Sequence, residues 1–183
     1  LIVLGIDSTD DQTHGDQKLS FFHGFCGQLM FHPLLVFDSL TGQLITALLR
    51  PGRAHAAKGA ITILTRLIRA IRVRCPHASI LVRGDSAFAM PKLLDRLEQL
   101  DAELGDVGYV IGVAKNSRLL EFAKPLRTAV EEEFLDGKRF VRRFTWLSYA
   151  SQSWPAERHV ICKVEHSERG ENPRFVVTTL DEF

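Results

Sequence analysis

Leu1-Ile2-Val3-Leu4-Gly5-Ile6-Asp7-Ser8-Thr9 is an apolar run that ends at once in an acid and two hydroxyls. So short a run, rich in branched side chains and closed by polar residues, predicts a buried strand over 1–6 with Asp7 at its carboxyl end. The same grammar returns at Ser79-Ile80-Leu81-Val82, which runs through Arg83-Gly84 into Asp85-Ser86. If these two strands are parallel neighbours, Asp7 and Asp85 emerge side by side at the carboxyl edge of a sheet, where open α/β sheets bind their ligands.

The residues between them fit that arrangement. Pro33 to Phe37 and Gln43 to Leu49 read as strands joined by the glycine-containing loop Asp38-Ser39-Leu40-Thr41-Gly42, a hairpin signal. Over 57–74 the period changes: Ile61, Leu64, Leu67, Ile68 and Ile71 fall on one helical face, with Lys58, Arg66 and Arg69 opposite. Pro76 ends that helix. A second helix starts at Pro91, with Leu93, Leu94, Leu97 and Leu100 on one side; a strand covers Tyr109 to Val113, and a third helix runs from Asn116 to about Glu132. The order β-β-β-α-β-α-β-α predicts an α/β fold, a mixed sheet flanked by helices. After Gly137 three alternating segments, 139–149, 158–165 and 174–180, predict an antiparallel β insertion subdomain. The expected division is therefore a core over 1–136 and a β-rich subdomain over 137–183.

A chain of 183 residues, 45% apolar and 25% charged, is one globular domain or a domain with an insertion, and excludes collagen, coiled coil and wholesale disorder. Cys26, Cys75 and Cys162 form no CxxC pair, so neither a disulfide framework nor a zinc knuckle is indicated, and a reducing, cytoplasmic setting is expected. No run approaches the roughly 20 apolar residues of a membrane span. A first residue already inside a strand leads us to expect a fragment of a longer protein.

Two ionised carboxylates at one edge repel unless a cation holds them, and hard oxygen ligands favour Mg²⁺ or Mn²⁺. Asp is equally at home as a strand-end or helix-capping residue, so spacing alone leaves both readings open. The near-balance of 23 Lys+Arg against 22 Asp+Glu conceals an uneven distribution. No acid lies between Asp38 and Asp85, a stretch holding Arg50, Arg53, Lys58, Arg66, Arg69, Arg72, Arg74 and Arg83. Basic residues flanking two acids suit a phosphodiester substrate, although some must simply be the solvated face of the 57–74 helix. Lys138, Arg139, Arg142 and Arg143 form a second cluster, interleaved with Phe140, Phe144 and Trp146. Such a pattern can grip nucleic acid; for Phe140 and Phe144 the expectation is subdomain core. Arg50, Arg53, Lys58, Arg83, Lys115, Arg142 and Arg143 are the candidate DNA contacts. His14, His23 and His32 share no face, Ser8 and Ser86 have no His-Asp partner, and Thr13-His14-Gly15-Asp16-Gln17 is not a P-loop.

The chain resembles the DDE transposases of bacterial insertion sequences, in particular the group named after insertion sequence thirteen-eighty. The resemblance rests on Ile6-Asp7-Ser8-Thr9-Asp10, the run from Thr13 to Phe22, Pro33 to Asp38, Leu49-Arg50-Pro51-Gly52, Arg83 to Ala89, Tyr109 to Asn116 and Asn172 to Thr178. It implies a ribonuclease H-like core in which Asp7 and Asp85 are catalytic and bind metal, with two Mg²⁺ (or Mn²⁺) ions in the complete site, Asp7 bridging the pair about 3.5 to 4 Å apart. It also implies double-stranded DNA as partner, a homodimer in the full-length protein, and strand cleavage followed by strand transfer. The family's third acid is a Glu on a later helix with Tyr, Arg and Lys at helical spacing. This chain departs there, stopping at Leu180-Asp181-Glu182-Phe183, so neither Glu182 nor Glu131, Glu132 and Glu133 takes the role. The expectation is a fragment inactive alone. Alternatives are an inactive DNA-binding remnant and a sugar-kinase or actin-like ATPase; the latter requires a second glycine-rich phosphate loop that the sequence lacks.

Overall fold

The computed structural model describes residues 1–180 and separates into two compact units, Leu1–Tyr109 and Val110–Phe183. In the first, strands β1 (Ile2–Ser8), β5 (Leu34–Asp38), β6 (Leu44–Leu48) and β7 (Ile80–Gly84) lie in the order β6-β5-β1-β7. β1 is antiparallel to β5 and parallel to β7. A parallel neighbour needs a crossover, and α1 (Ala60–Arg74) supplies it. Side chains alternate across the sheet, so Leu4, Ile6, Leu34, Val36, Ile80 and Val82 are buried on one face. Leu64 and Ile68 of α1, with Leu93, Leu94, Leu97 and Leu100 of α2 (Pro91–Leu104), complete this core. Pro91 sits in the first turn of α2, where its missing N–H costs nothing.

A second, small antiparallel sheet was not anticipated. It comprises β2 (Asp11–Gln12), β3 (Phe21–His23) and β4 (Gln28–Phe31), in the order β2-β4-β3. The Thr13 and Ser20 hydroxyls hydrogen-bond one another beside it. Gly52 packs beneath: a Cβ there would collide with the backbone carbonyls of Met30 and Phe21.

The second unit takes up β8 (Val107–Val113) beyond Tyr109, then α3 (Ser117–Phe122), α4 (Lys124–Leu135), β9 (Phe140–Tyr149), β10 (Arg158–Ser167) and β11 (Gly170–Thr178). Its strands lie β8-β11-β10-β9, each antiparallel to its neighbour. The single helix expected over Asn116 to Glu132 is two. Asn116 caps α3 through its side-chain oxygen, which accepts the Leu119 N–H at 3.0 Å, and Pro125 opens α4. The last strand starts at Gly170, earlier than expected, because Pro173 is tolerated inside it. β11 meets β8 only from Phe175 onward, so the proline's missing N–H costs no bond on that side.

α4 packs on β9 and β10 and covers one sheet face, where Val141, Val160, Cys162, Val164, Phe175 and Val177 are buried. Arg127 of α4 pins β11 through a forked ion pair with Glu171, Nε to Oε1 at 2.5 Å and Nη2 to Oε2 at 2.9 Å. Phe134 stacks on His166 with ring centroids 4.2 Å apart. Burial pushes the Cys162 thiol up to about 11, so it stays an un-ionised packing group. No helix among the described residues is long and apolar enough to cross a membrane.

Candidate active site

The parallel ladder between β1 and β7 pairs Gly5 with Arg83 and Ile6 with Gly84. The ladder ends there; the next residues are Asp7, still in β1, and Asp85, the first residue after β7, on strands that neighbour at roughly 4.8 Å. β1 extends through Asp7 rather than stopping at Ile6, and Asp85 keeps an extended backbone (φ −80°, ψ −172°). Alternation therefore continues to both positions: Ile6 and Gly84 turn to the core, while Asp7 and Asp85 turn to the opposite face and are exposed. Residues separated by 78 positions in sequence thus share one sheet edge, as the strand pattern predicts.

Each carboxylate is half engaged. The Ser8 N–H donates to Asp7 Oδ1 at 2.7 Å, and the Ala87 N–H donates to Asp85 Oδ1 at 2.9 Å, capping the short turn Ser86–Phe88. No hydrogen bond or ion pair among the described residues occupies either Oδ2. Asp10 is committed elsewhere, accepting from Gln28 Nε2 at 2.8 Å. Two exposed carboxylates at the ends of neighbouring strands, each with one oxygen fixed and one open, fit part of a divalent-cation site. Among the described residues no third His, Cys, Asp or Glu joins them. Asp181 and Glu182 lie outside the described residues.

The basic stretch between Asp38 and Asp85 resolves into different jobs. Arg83 shares the face of Asp7 and Asp85, lies opposite Gly5 and is exposed. Lys58 is exposed too, and Arg53 lies with its guanidinium 5.0 Å from the Phe21 ring centroid. Arg50, expected to contact DNA, is instead 4% exposed. Its Nε donates to His32 O at 2.7 Å, its Nη1 to Ala56 O at 2.7 Å and Lys58 O at 2.8 Å, with longer contacts to His55 O and Pro33 O. Its Nε, its Nη1 and one Nη2 donor go to backbone carbonyls, and its burial closes it to a phosphate. Arg72 is spent the same way on the carbonyls of Pro76, Ala78 and Gly105, and Arg69 pairs with Glu103 at 2.8 Å.

In the second unit Arg142 and Arg143 point to opposite faces. Arg143 turns toward α4 and bonds Glu133 through Nε at 2.9 Å and Nη2 at 2.7 Å, so it braces a helix while its side chain stays half-exposed. Lys138 and Arg143 hold the Glu133 carboxyl below its usual range. Arg142 occupies the uncovered face, pairs with Glu165 at 2.7 Å and stacks on Phe140. Lys115 is exposed, its Nζ 3.5 Å from Asn172 Oδ1. The core expectation for Phe140 and Phe144 is overturned: they are 51% and 58% exposed.

Residues 1–183 match the family profile described as transposase DDE domain group 1. The chain belongs to that family. Membership over the whole length displaces the sugar-kinase and actin-like alternative. Curated proteins yield no match. Among solved structures, the piggyBac transposase synaptic complex with hairpin DNA aligns at a TM-score of 0.55 with 14% identity, over 99% of this chain and 34% of that one. This chain thus spans about a third of the transposase it resembles, and the likeness is one of fold. Endonuclease V of Ciona intestinalis, in complex with inosine-containing DNA, aligns more loosely, at a TM-score of 0.35 with 13% identity, over 96% of this chain and 69% of that one.

Proposed function

We propose that this DDE transposase chain is the larger part of a ribonuclease H-like catalytic domain, over 1–136, carrying a β-rich insertion over 137–183. In this reading it comes from a bacterial element of the insertion sequence thirteen-eighty group and acts in the cytoplasm. Its reaction is cleavage of DNA at transposon ends followed by joining of the freed 3′-hydroxyl to target DNA. The observation that carries this reading is the parallel ladder of β1 with β7, which ends at Ile6 and Gly84, one residue before Asp7 and Asp85.

Asp7 and Asp85 are the residues that would hold Mg²⁺ or Mn²⁺, through the oxygens their backbone caps leave open. The bound ions supply Lewis acidity toward the scissile phosphate and lower the pKa of a water nucleophile. What the chain itself contributes is placement. The Ser8 and Ala87 N–H groups fix one oxygen of each acid, so both carboxylates are oriented before substrate arrives. Arg83, on the same face two residues before Asp85, is positioned to hold a phosphate beside them; Arg53 and Lys58 add positive charge within the same unit. No residue of this chain is assigned the role of third acid, and in this reading the full-length protein acts as a homodimer on double-stranded DNA. The DNA held by the similar solved transposase is consistent with that partner.

The experiment is Mg²⁺-dependent nicking of a terminal-repeat duplex by the full-length protein. Asp7→Asn and Asp85→Ala should each abolish nicking while leaving duplex affinity within about threefold, since both side chains are exposed. Nicking that survives Asp85→Ala overturns the assignment; a wild-type protein that binds the duplex but never nicks it identifies a DNA-binding remnant.

A further inference from the structure

In the second unit, the face of β9, β10 and β11 that α4 leaves open carries a regular pattern. Antiparallel register sets side chains in rows across the three strands. One row is Arg142, Glu165 and Asn172; the next is Phe144, Lys163 and Arg174; the next is Trp146, Ile161 and Val176. Phe140 stands before the first row, beneath the Arg142 guanidinium, whose Cζ is 5.1 Å from the ring centroid. His159 lies edge-on to Trp146, with ring centroids 6.4 Å apart.

Two features of this face call for a partner. Aromatic rings at alternate positions of an edge strand are costly to leave in water, yet Phe140 and Phe144 are more than half exposed. The charge is also unbalanced. Glu165 is the one carboxylate in these rows, and it is shared by Lys163 at 3.0 Å and Arg142 at 2.7 Å. Arg174 has no acidic partner among the described residues, and Lys115 reaches the same rows at Asn172. Four cations against one acid, threaded between flat rings, complement an anionic chain that carries aromatic groups of its own.

We propose that this open sheet face binds unpaired nucleotides of DNA, with bases stacked on Phe140, Phe144 and Trp146 and phosphates held by Arg142, Lys163, Arg174 and Lys115. A duplex buries the base faces that these rings would stack on, whereas unpaired nucleotides present them. The inference rests on the transposase reading and refines it: the acidic edge of the first unit would act on the strand, and this platform would hold bases that have left the helix.

The test uses the full-length protein with a thymidine oligonucleotide of roughly 16 nucleotides and a duplex of equal length. Trp146 is part-exposed while Trp154, the chain's other tryptophan, is buried against Tyr149. Addition of the single strand should quench tryptophan emission, and Trp146→Phe should remove that quenching. Phe144→Ala should weaken single-strand binding about tenfold or more and change duplex binding less than about threefold; Phe144→Trp should restore it. Lys163→Gln with Arg174→Gln should lower the slope of log affinity against log salt. Equal loss of single-strand and duplex affinity, or no loss of either, overturns the proposal. So does a Phe144→Ala protein whose single-strand affinity is intact but whose oligomeric state changes, since the face would then seat a second copy. Because Phe144 is exposed, thermal unfolding should not move, which separates lost binding from lost fold. Nicking that depends on Asp85 while single-strand binding ignores Phe144 removes this proposal and leaves the catalytic reading standing.

Discussion

Arg50 and Thr9 share one acceptor, the carbonyl of Pro33: Arg50 Nη2 donates to it at 3.3 Å and the Thr9 N–H at 3.1 Å. Through that oxygen a buried guanidinium braces the end of the strand that carries Asp7. The same side chain gathers the carbonyls of His32, His55, Ala56 and Lys58, so a loop that leads into α1 and the lead-in to β5 are tied to one group. Burial draws the Arg50 pKa down, yet an arginine stays charged under any ordinary condition.

Arg50→Met should therefore be among the most damaging single changes in the first unit. Each buried carbonyl stripped of its donor costs about 1 to 3 kcal/mol, partly recovered by water, so a loss of at least about 3 kcal/mol is expected in urea unfolding. Arg50→Lys should recover only a fraction, because one ammonium cannot span carbonyls on three sides. A loss below about 1 kcal/mol for Arg50→Met would mean that the carbonyls find other donors and the bracing role is wrong.

The fate of Arg50 also shows where sequence reasoning stops. Strand periodicity is local, so the two strands and the acids that follow them could be read from Leu1–Thr9 and Ser79–Ser86, and the amphipathic run before β7 allows the parallel crossover that the β1–β7 ladder shows. Where an arginine side chain goes is not local. It depends on carbonyls contributed by residues 32, 33, 55, 56 and 58, which converge only in the folded chain. The same holds for β2, β3 and β4, strands of two, three and four residues whose pairing leans on the close approach of Gly52 and has no period long enough to detect. Alternation along β9 correctly divides Phe140, Arg142 and Phe144 from Val141 and Arg143. It does not say which set α4 covers, and that is why the exposed rings were expected in the core.

Acid should loosen the fold through three carboxylates. Arg69 and Arg96 lower the pKa of Glu103, Lys138 and Arg143 that of Glu133, and Lys163 and Arg142 that of Glu165, each from an ordinary value of 4.5. A folded-state pKa below the unfolded one stabilises the fold above the unfolded value and loses that contribution as pH falls through the folded one. The melting temperature should accordingly drop between about pH 5 and pH 3, and the combined Glu103→Gln, Glu133→Gln, Glu165→Gln protein should show a shallower drop from a slightly lower plateau. Each of the three carboxylates has at least one half-exposed arginine as partner, so the contribution is modest and should shrink further in high salt. Parallel acid profiles for the two proteins would remove these pairs as the cause.

Gly84 sits in register with Ile6, and the next residue along each strand is an acid, Asp85 and Asp7. A Cβ on Gly84 would lie 3.2 Å from Ile6 Cγ2, 3.2 Å from Phe88 Cδ2 and 3.3 Å from Phe88 Cβ, closer than packed carbons normally approach. Its φ is not in the left-handed region, so alanine meets no backbone penalty there and the cost is steric. Relief requires β1 and β7 to part by a few tenths of an ångström, or the Ser86–Phe88 turn that Asp85 caps to shift. Either movement alters the spacing of the two carboxylates. Gly84→Ala in the full-length protein should thus cost about 1 kcal/mol of stability or slightly more, while metal-dependent nicking falls about tenfold or more, since small displacements at a reacting centre carry disproportionate kinetic penalties. Raising the Mg²⁺ concentration should recover part of the rate if the defect is a loosened ligand pair. Unchanged nicking in a protein destabilised to this extent would show that the spacing of Asp7 and Asp85 does not govern the reaction.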